Sequence, residues 1–228
     1  LIISFLGTLC SCSSFITKTA VSTTETILTK ASDEVWTEGN WDIFANGVPG
    51  NLKMMEALYF LDPTDENILS GLVKAYAGYA YVVNETNYLR EEFEEIEEGE
   101  LRKQALLNYS KALRYGLESF RLSGVTLEGI QKRINGPSKE LNKYLSRLGT
   151  RQRELETIFF TAQSLGALIM LQRDNMRMIA LRPTIDSLFN MVCAKKPDIN
   201  GGACDIFYAT NLSLTPRMMG GDPAKGKK

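Results

Sequence analysis

Apolar residues recur three and four apart along most of the chain and nowhere alternate with polar ones over a strand's length, so the pattern predicts helices throughout. Leu52, Met55, Leu58 and Leu61 fall on adjoining turns that end at Asp62-Pro63, and Asp65 is placed to cap a following helix. That helix carries Leu69, Leu72, Val73, Tyr76 and Ala80 as a buried stripe, with Gly71, Ala75, Ala77 and Gly78 small enough for close packing. Residues 101–120 form a further helix through Ala105, Tyr109, Ala112, Leu113 and Gly116. A shorter one follows Gly136-Pro137, with Leu141, Tyr144, Leu145 and Leu148 as its stripe. Residues 154–172 are apolar around most of their circumference, which marks a central helix. Thr161, Gln163 and Ser164 break the apolar run below the length of a membrane span.

Pro63 and Pro197 each close a helix, and counting onward from Pro63 puts Leu69, Leu72, Val73 and Tyr76 in the slots that open a tetratricopeptide repeat. After Pro197 the same count reaches Ala203, Ile206, Phe207 and Thr210, with Ile185, Phe189 and Val192 inward on the helix before. The copy is degenerate and the prolines stand much more than one repeat apart. The expected fold is therefore all-α, a solenoid or bundle of diverged tetratricopeptide-like helical hairpins over residues 33–228. Residues 91–100 hold seven glutamates around Phe93 and Ile96, read as the solvated face of an insertion or as a docking surface for a basic partner.

Upstream of the helices the pattern changes. Residues 1–11 read as the remnant of an export signal, too short to span a bilayer. Leu9-Cys10-Ser11-Cys12 resembles a bacterial lipobox and makes Cys12 the lipid acceptor, with ordinary signal cleavage or an uncleaved apolar start as the other readings. Cys10 fits less well, because Leu9 stands where a small residue is required. Residues 12–32 are then a Ser/Thr-rich tether and the start of the first helix. Ser13 after the anchor points to the inner leaflet of an outer membrane, facing the periplasm.

The 228 residues are 44% hydrophobic and 23% charged, enough for a sizeable core, and the net charge of −1 gives no general attraction to nucleic acid. The chain has no histidine, which removes the usual proton shuttle, the common Ser-His-Asp and Cys-His devices and the commonest zinc ligand. Neither a metal nor a cofactor is expected. Cys193 and Cys204 have no metal-ligand spacing and read equally as a disulfide or as two buried thiols.

Four phrases, Val35-Trp36-Thr37-Glu38-Gly39-Asn40-Trp41-Asp42, Gly50-Asn51-Leu52-Lys53-Met54-Met55-Glu56, Ala75-Tyr76-Ala77-Gly78-Tyr79-Ala80 and Pro216-Arg217-Met218-Met219-Gly220-Gly221-Asp222-Pro223, together resemble the T-component (TatT) lipoproteins of TRAP transporters. The resemblance implies a periplasmic, lipid-anchored helical protein associated with the solute-binding P-component. It further implies a homotrimer that offers a channel or cleft to a small hydrophobic ligand. In that family a further helix follows Gly-Gly-Asp-Pro, so the chain is expected to continue beyond Lys228.

Candidate binding residues are Trp36 and Trp41, which flank a Gly-Asn turn, and Tyr76 and Tyr79 on the small-residue helix. For each the competing reading is plain packing. Arg151, Arg153, Arg173, Arg177 and Arg182 either meet a carboxylate ligand or pair with Glu154 and Asp174. Asp222-Pro223 reads as a helix start. The function expected is binding without bond chemistry, beside a TRAP-type uptake system. The alternative is a generic tetratricopeptide-like envelope scaffold with no transport ligand. An enzyme using Glu38 and Asp42 as paired carboxylates is the remaining class, and it requires both on one helical turn.

Overall fold

The computed structural model describes residues 19, 23–24, 37–94, 96, 99–214, 217 and 221–227, apart from the side chain of Leu214. The signal, Cys12, most of the tether and Trp36 lie outside the described residues, as does most of the Pro216–Gly220 phrase. The described residues are helices and turns with no strand among them, which bears out the all-α expectation. The chain divides into two compact units, Leu1–Ser119 and Phe120–Lys228.

In the first unit, α1 (Trp41–Leu61) starts at Asn40, whose side chain accepts hydrogen bonds from the backbone N–H groups of Asp42 and Ile43 at 3.0 and 3.3 Å. It ends at Asp62, just before Pro63. α2 (Glu66–Tyr79) begins on Asp65, which accepts from Asn67 and Ile68 N–H at 2.8 and 3.1 Å, the cap read from the sequence. Its stripe of Ile68, Leu69, Leu72, Val73, Tyr76 and Ala77 is buried. A Cβ at Gly71 would press on the tip of the Met55 side chain of α1, a flexible group that would have to turn aside.

The helix does not stop at Tyr79. It widens into a π-helical turn, Ala80–Glu85, and resumes as α3 (Thr86–Phe93). α4 (Glu100–Leu122) buries Ala105, Tyr109, Ala112 and Tyr115 and carries the chain out of the first unit.

The second unit holds α5 (Leu127–Ile134), α6 (Ser138–Leu145), α7 (Gln152–Leu171), α8 (Met176–Ile179), α9 (Arg182–Lys195), α10 (Ala203–Leu214) and α11 (Pro223–Gly226). α7 is the predicted central helix: Leu155, Ile158, Phe159, Ala162, Leu165 and Leu168 are buried, and it packs along α9. Its length and composition would suffice to cross a membrane, yet 61% of its most apolar window is buried, as in the core helix of a folded unit. Phe159 meets the edge of Phe189 at 5.5 Å, and Phe189 stacks on Phe207 of α10 at 4.0 Å.

Cys193 and Cys204 form a disulfide with Cα atoms 5.8 Å apart, resolving the two readings left by their spacing. It closes the turn between α9 and α10, where Asn200, Gly201 and Gly202 take positive φ. Such backbone suits Asn and Gly, so the residue types of this turn are required by its geometry. Ile206, which the proline count places in this helix, stands exposed on α10. Asp222 caps α11 by accepting from Lys225 N–H at 3.1 Å, with Pro223 at the first helical position. Replacing both Cys193 and Cys204 by Ala should lower stability by about 2–3 kcal/mol, measured as a lower urea midpoint with unchanged slope. An unchanged midpoint would mean the bridge adds nothing.

Candidate functional site

The densest polar cluster in the first unit is built around Glu56 of α1. One carboxylate oxygen accepts from the Tyr76 hydroxyl of α2 at 2.7 Å. It also accepts from the Lys111 ammonium and the Tyr115 hydroxyl of α4, at 2.8 and 3.0 Å. The other accepts from Lys53 at 2.6 Å. Lys111 also donates to the Tyr76 oxygen at 3.0 Å and stands 4.8 Å from the centre of that ring. The Tyr76 and Tyr115 rings stack at 5.9 Å, and Tyr59 meets Tyr115 edge-on at 5.2 Å.

The charges follow from these contacts. Burial alone pushes the Glu56 carboxyl up, but the bonds from Lys111, Lys53, Tyr76 and Tyr115 outweigh it and hold the group at about 2. Burial first, and then the Glu56 carboxylate, push the Tyr76 and Tyr115 phenols well above the ordinary tyrosine value. Near neutral pH the carboxylate is therefore fully charged and both phenols are neutral. Neither the carboxylate nor these two phenols is poised to take or give a proton near neutral pH.

Tyr79 is explained by a proline. Pro49 sits inside α1 and lacks the N–H that the carbonyl of Ala45, four residues back, would otherwise receive. The Tyr79 hydroxyl donates to that carbonyl at 3.3 Å. Thus Tyr76 and Tyr79, two of the residues singled out from the sequence, both spend their hydroxyls on α1. Trp41 is different: it lies at the start of α1, 48% exposed, with its ring 6.1 Å from Phe44. Glu38 precedes the helix and accepts from Asn40 N–H at 2.7 Å, so it does not share a helical turn with Asp42.

Two further arrangements had no sequence signal beyond helical spacing. In the π turn Asn84 is buried and accepts from Asn108 at 2.7 Å, while Glu85 accepts from the buried Tyr109 hydroxyl. Burial and the Glu85 carboxylate push the Tyr109 phenol far up. Glu91, one of the crowded glutamates, accepts from Leu101 and Arg102 N–H, both at 3.2 Å, and so caps α4 from outside the helix.

In the second unit Arg151 pairs with Glu154, as one reading of the arginine group held. Asp186 is raised by burial, against the opposing pull of Arg182 and of Asn211, whose amide donates to it at 3.4 Å. Among the described residues no three Cys, Asp or Glu side chains are grouped to hold a metal.

A family model described as TRAP transporter T-component matches residues 37–228. The match spans every helix described above. A comparison with curated proteins finds no match to the chain.

Two measurements check this geometry. Tyr79→Phe should cost about 1 kcal/mol in the natural chain and close to nothing in a Pro49→Ala background, where the new N–H takes the Ala45 carbonyl. Equal cost in both backgrounds would refute the pairing. Glu56→Gln should cost about 2 kcal/mol at neutral pH. Because the folded carboxyl lies below its unfolded value of about 4.3, the Glu56 contribution is present above that value and is lost as pH falls towards 2. Urea titrations of both proteins should therefore converge over that acidic window, and a constant difference would contradict the assignment.

Proposed function

We propose, given that the chain belongs to the TRAP transporter T-component family, that it binds the solute-binding P-component of such a transporter from a lipid anchor at Cys12. Membership makes it a transport-associated, non-enzymatic protein of the cell envelope. The family match over residues 37–228 is the observation that carries the reading. Compartment is supported by the Cys193–Cys204 disulfide, which persists in an oxidising space such as the periplasm.

The contact is one of shape and a few aromatic anchors. Trp41 supports it as an exposed indole held in place by the Asn40 cap, the kind of side chain that dominates partner surfaces. Tyr76 and Tyr79 serve the site by fixing α1 beneath Trp41, and Trp36, which lies outside the described residues, is a further aromatic contact of this reading. Cargo passing through the complex is a small hydrophobic or carboxylate compound. The tetratricopeptide-like hairpin reading fits this role, since such hairpins present extended binding surfaces.

Affinity capture of the full chain from membranes of its own cell, in mild detergent, should recover the P-component, and Trp41→Ala should reduce that recovery at least tenfold. Capture that returns no transporter component while the chain keeps its native mass would overturn the proposal.

A further inference from the structure

Residues 126–156 hold seven Lys and Arg against four Glu, in a chain whose net charge is −1. Part of that excess is cancelled in place: Glu128 pairs with Lys132 at 2.7 Å, and Glu154 pairs with Arg151. Arg133, Lys139, Lys143 and Arg147 have no carboxylate within ion-pair distance among the described residues. Glu140, the acid beside Lys139, is exposed and likewise forms no ion pair.

The α5–α6 hairpin gathers these four charges. Lys139, Lys143 and Arg147 follow one another four residues apart along α6 and the short turn that continues it, Ser146–Leu148, and all three are exposed. Arg133 joins them from α5: its guanidinium lies 4.2 Å from the centre of the Tyr144 ring, and that of Arg147 lies 5.2 Å from the same centre. The ring is itself fixed, because the Tyr144 hydroxyl accepts from Thr126 N–H at 2.9 Å, and Arg133 donates to the Gly129 carbonyl at 2.8 Å. Burial pushes the Tyr144 phenol up, yet the bond from Thr126 and the charges of Arg133 and Arg147 bring it below the ordinary tyrosine value. The local field is positive and uncancelled.

The chemistry of the hairpin selects its partner. None of the large exposed apolar side chains among the described residues lies on it. A protein partner is held chiefly by desolvated aromatic and apolar anchors, whereas an anionic bilayer attracts Lys and Arg by charge alone, about fivefold in affinity for each residue. Four cations opposed by Glu140 leave a gain of roughly a hundredfold. That is too weak to hold a protein by itself, but it decides which face a tethered chain lays on the membrane. We propose that the α5–α6 hairpin is a docking surface for an anionic phospholipid bilayer, with Arg133, Lys139, Lys143 and Arg147 at the headgroup phosphates. Its use in the cell rests on the Cys12 anchor; the attraction of the hairpin for the bilayer does not.

The full chain carrying Cys12→Ala isolates the hairpin from the anchor. Its partition onto vesicles of mixed phosphatidylglycerol and phosphatidylcholine, measured by co-sedimentation, should exceed that onto phosphatidylcholine alone roughly a hundredfold at low salt and lose the excess at high salt. Lys139→Gln with Lys143→Gln should lower the anionic partition about 25-fold, and Glu140→Gln should raise it about fivefold. Lys103→Gln with Arg177→Gln removes the same charge from exposed positions on α4 and α8 and should leave it unchanged. Equal partition onto the two kinds of vesicle would overturn the proposal, as would a loss in the Lys103/Arg177 pair equal to that in the Lys139/Lys143 pair. Binding of poly-glutamate without preference for anionic vesicles would also overturn it, assigning the hairpin to an acidic protein. Retention of the natural chain on membranes through a high-salt wash reports the Cys12 anchor separately, so the two failures are distinguishable.

Discussion

A charged carboxylate enclosed by four donors from three helices is the constraint on which the first unit depends. Withdrawing Glu56 from water is unfavourable, and the hydrogen bonds from Lys111, Lys53, Tyr76 and Tyr115 together outweigh that cost. Since Tyr76 comes from α2, and Lys111 and Tyr115 come from α4, the carboxylate specifies how those helices lie against α1. Apolar packing by itself would tolerate sliding; a hydrogen-bonded charge does not. The same saturation decides the chemistry. With both carboxylate oxygens engaged and both phenols neutral, the cluster holds a scaffold in place, in keeping with a transport-associated family.

Pro49 adds a second constraint on α1. A proline in mid-helix removes a hydrogen bond and exposes a carbonyl, and the Tyr79 hydroxyl takes up that acceptor. α2 therefore grips α1 at two levels, through Tyr76 at Glu56 and through Tyr79 at Ala45. With its inner face so occupied, α1 turns Trp41 and an uncharged apolar stripe outward. In the second unit the corresponding device is covalent: the Cys193–Cys204 bridge and the Phe189–Phe207 stack hold α10 on α9.

Local rules made much of the fold legible. Asp65 and Asp222 cap as their positions indicate, the Leu69–Ala80 stripe is buried, and the apolar circumference of α7 marks a core helix. What was hidden depends on distance along the chain. Glu56 reads as one solvated position on a helix, because its partners lie 20, 55 and 59 residues away. Tyr76 and Tyr79 stood out as candidates for a ligand path, but the proline and carboxylate that use their hydroxyls sit on another helix. The crowded glutamates showed charge without showing that Glu91 would reach across to cap α4. Exposure of Ile43, Met54 and Leu61 on α1 was hidden too, since periodicity gives spacing and does not say which apolar positions a neighbour covers.

The titration of Glu56 itself tests the central claim most directly. Carbon-detected NMR of the side-chain carboxyl, followed from neutral pH into acid on the folded protein, reports its pKa without reference to stability. The enclosure by Lys53, Lys111, Tyr76 and Tyr115 predicts a midpoint at about 2. A midpoint near the ordinary glutamate value of about 4.3 would show that the carboxylate is not held by these donors, and the account of how α1, α2 and α4 are fixed would fail.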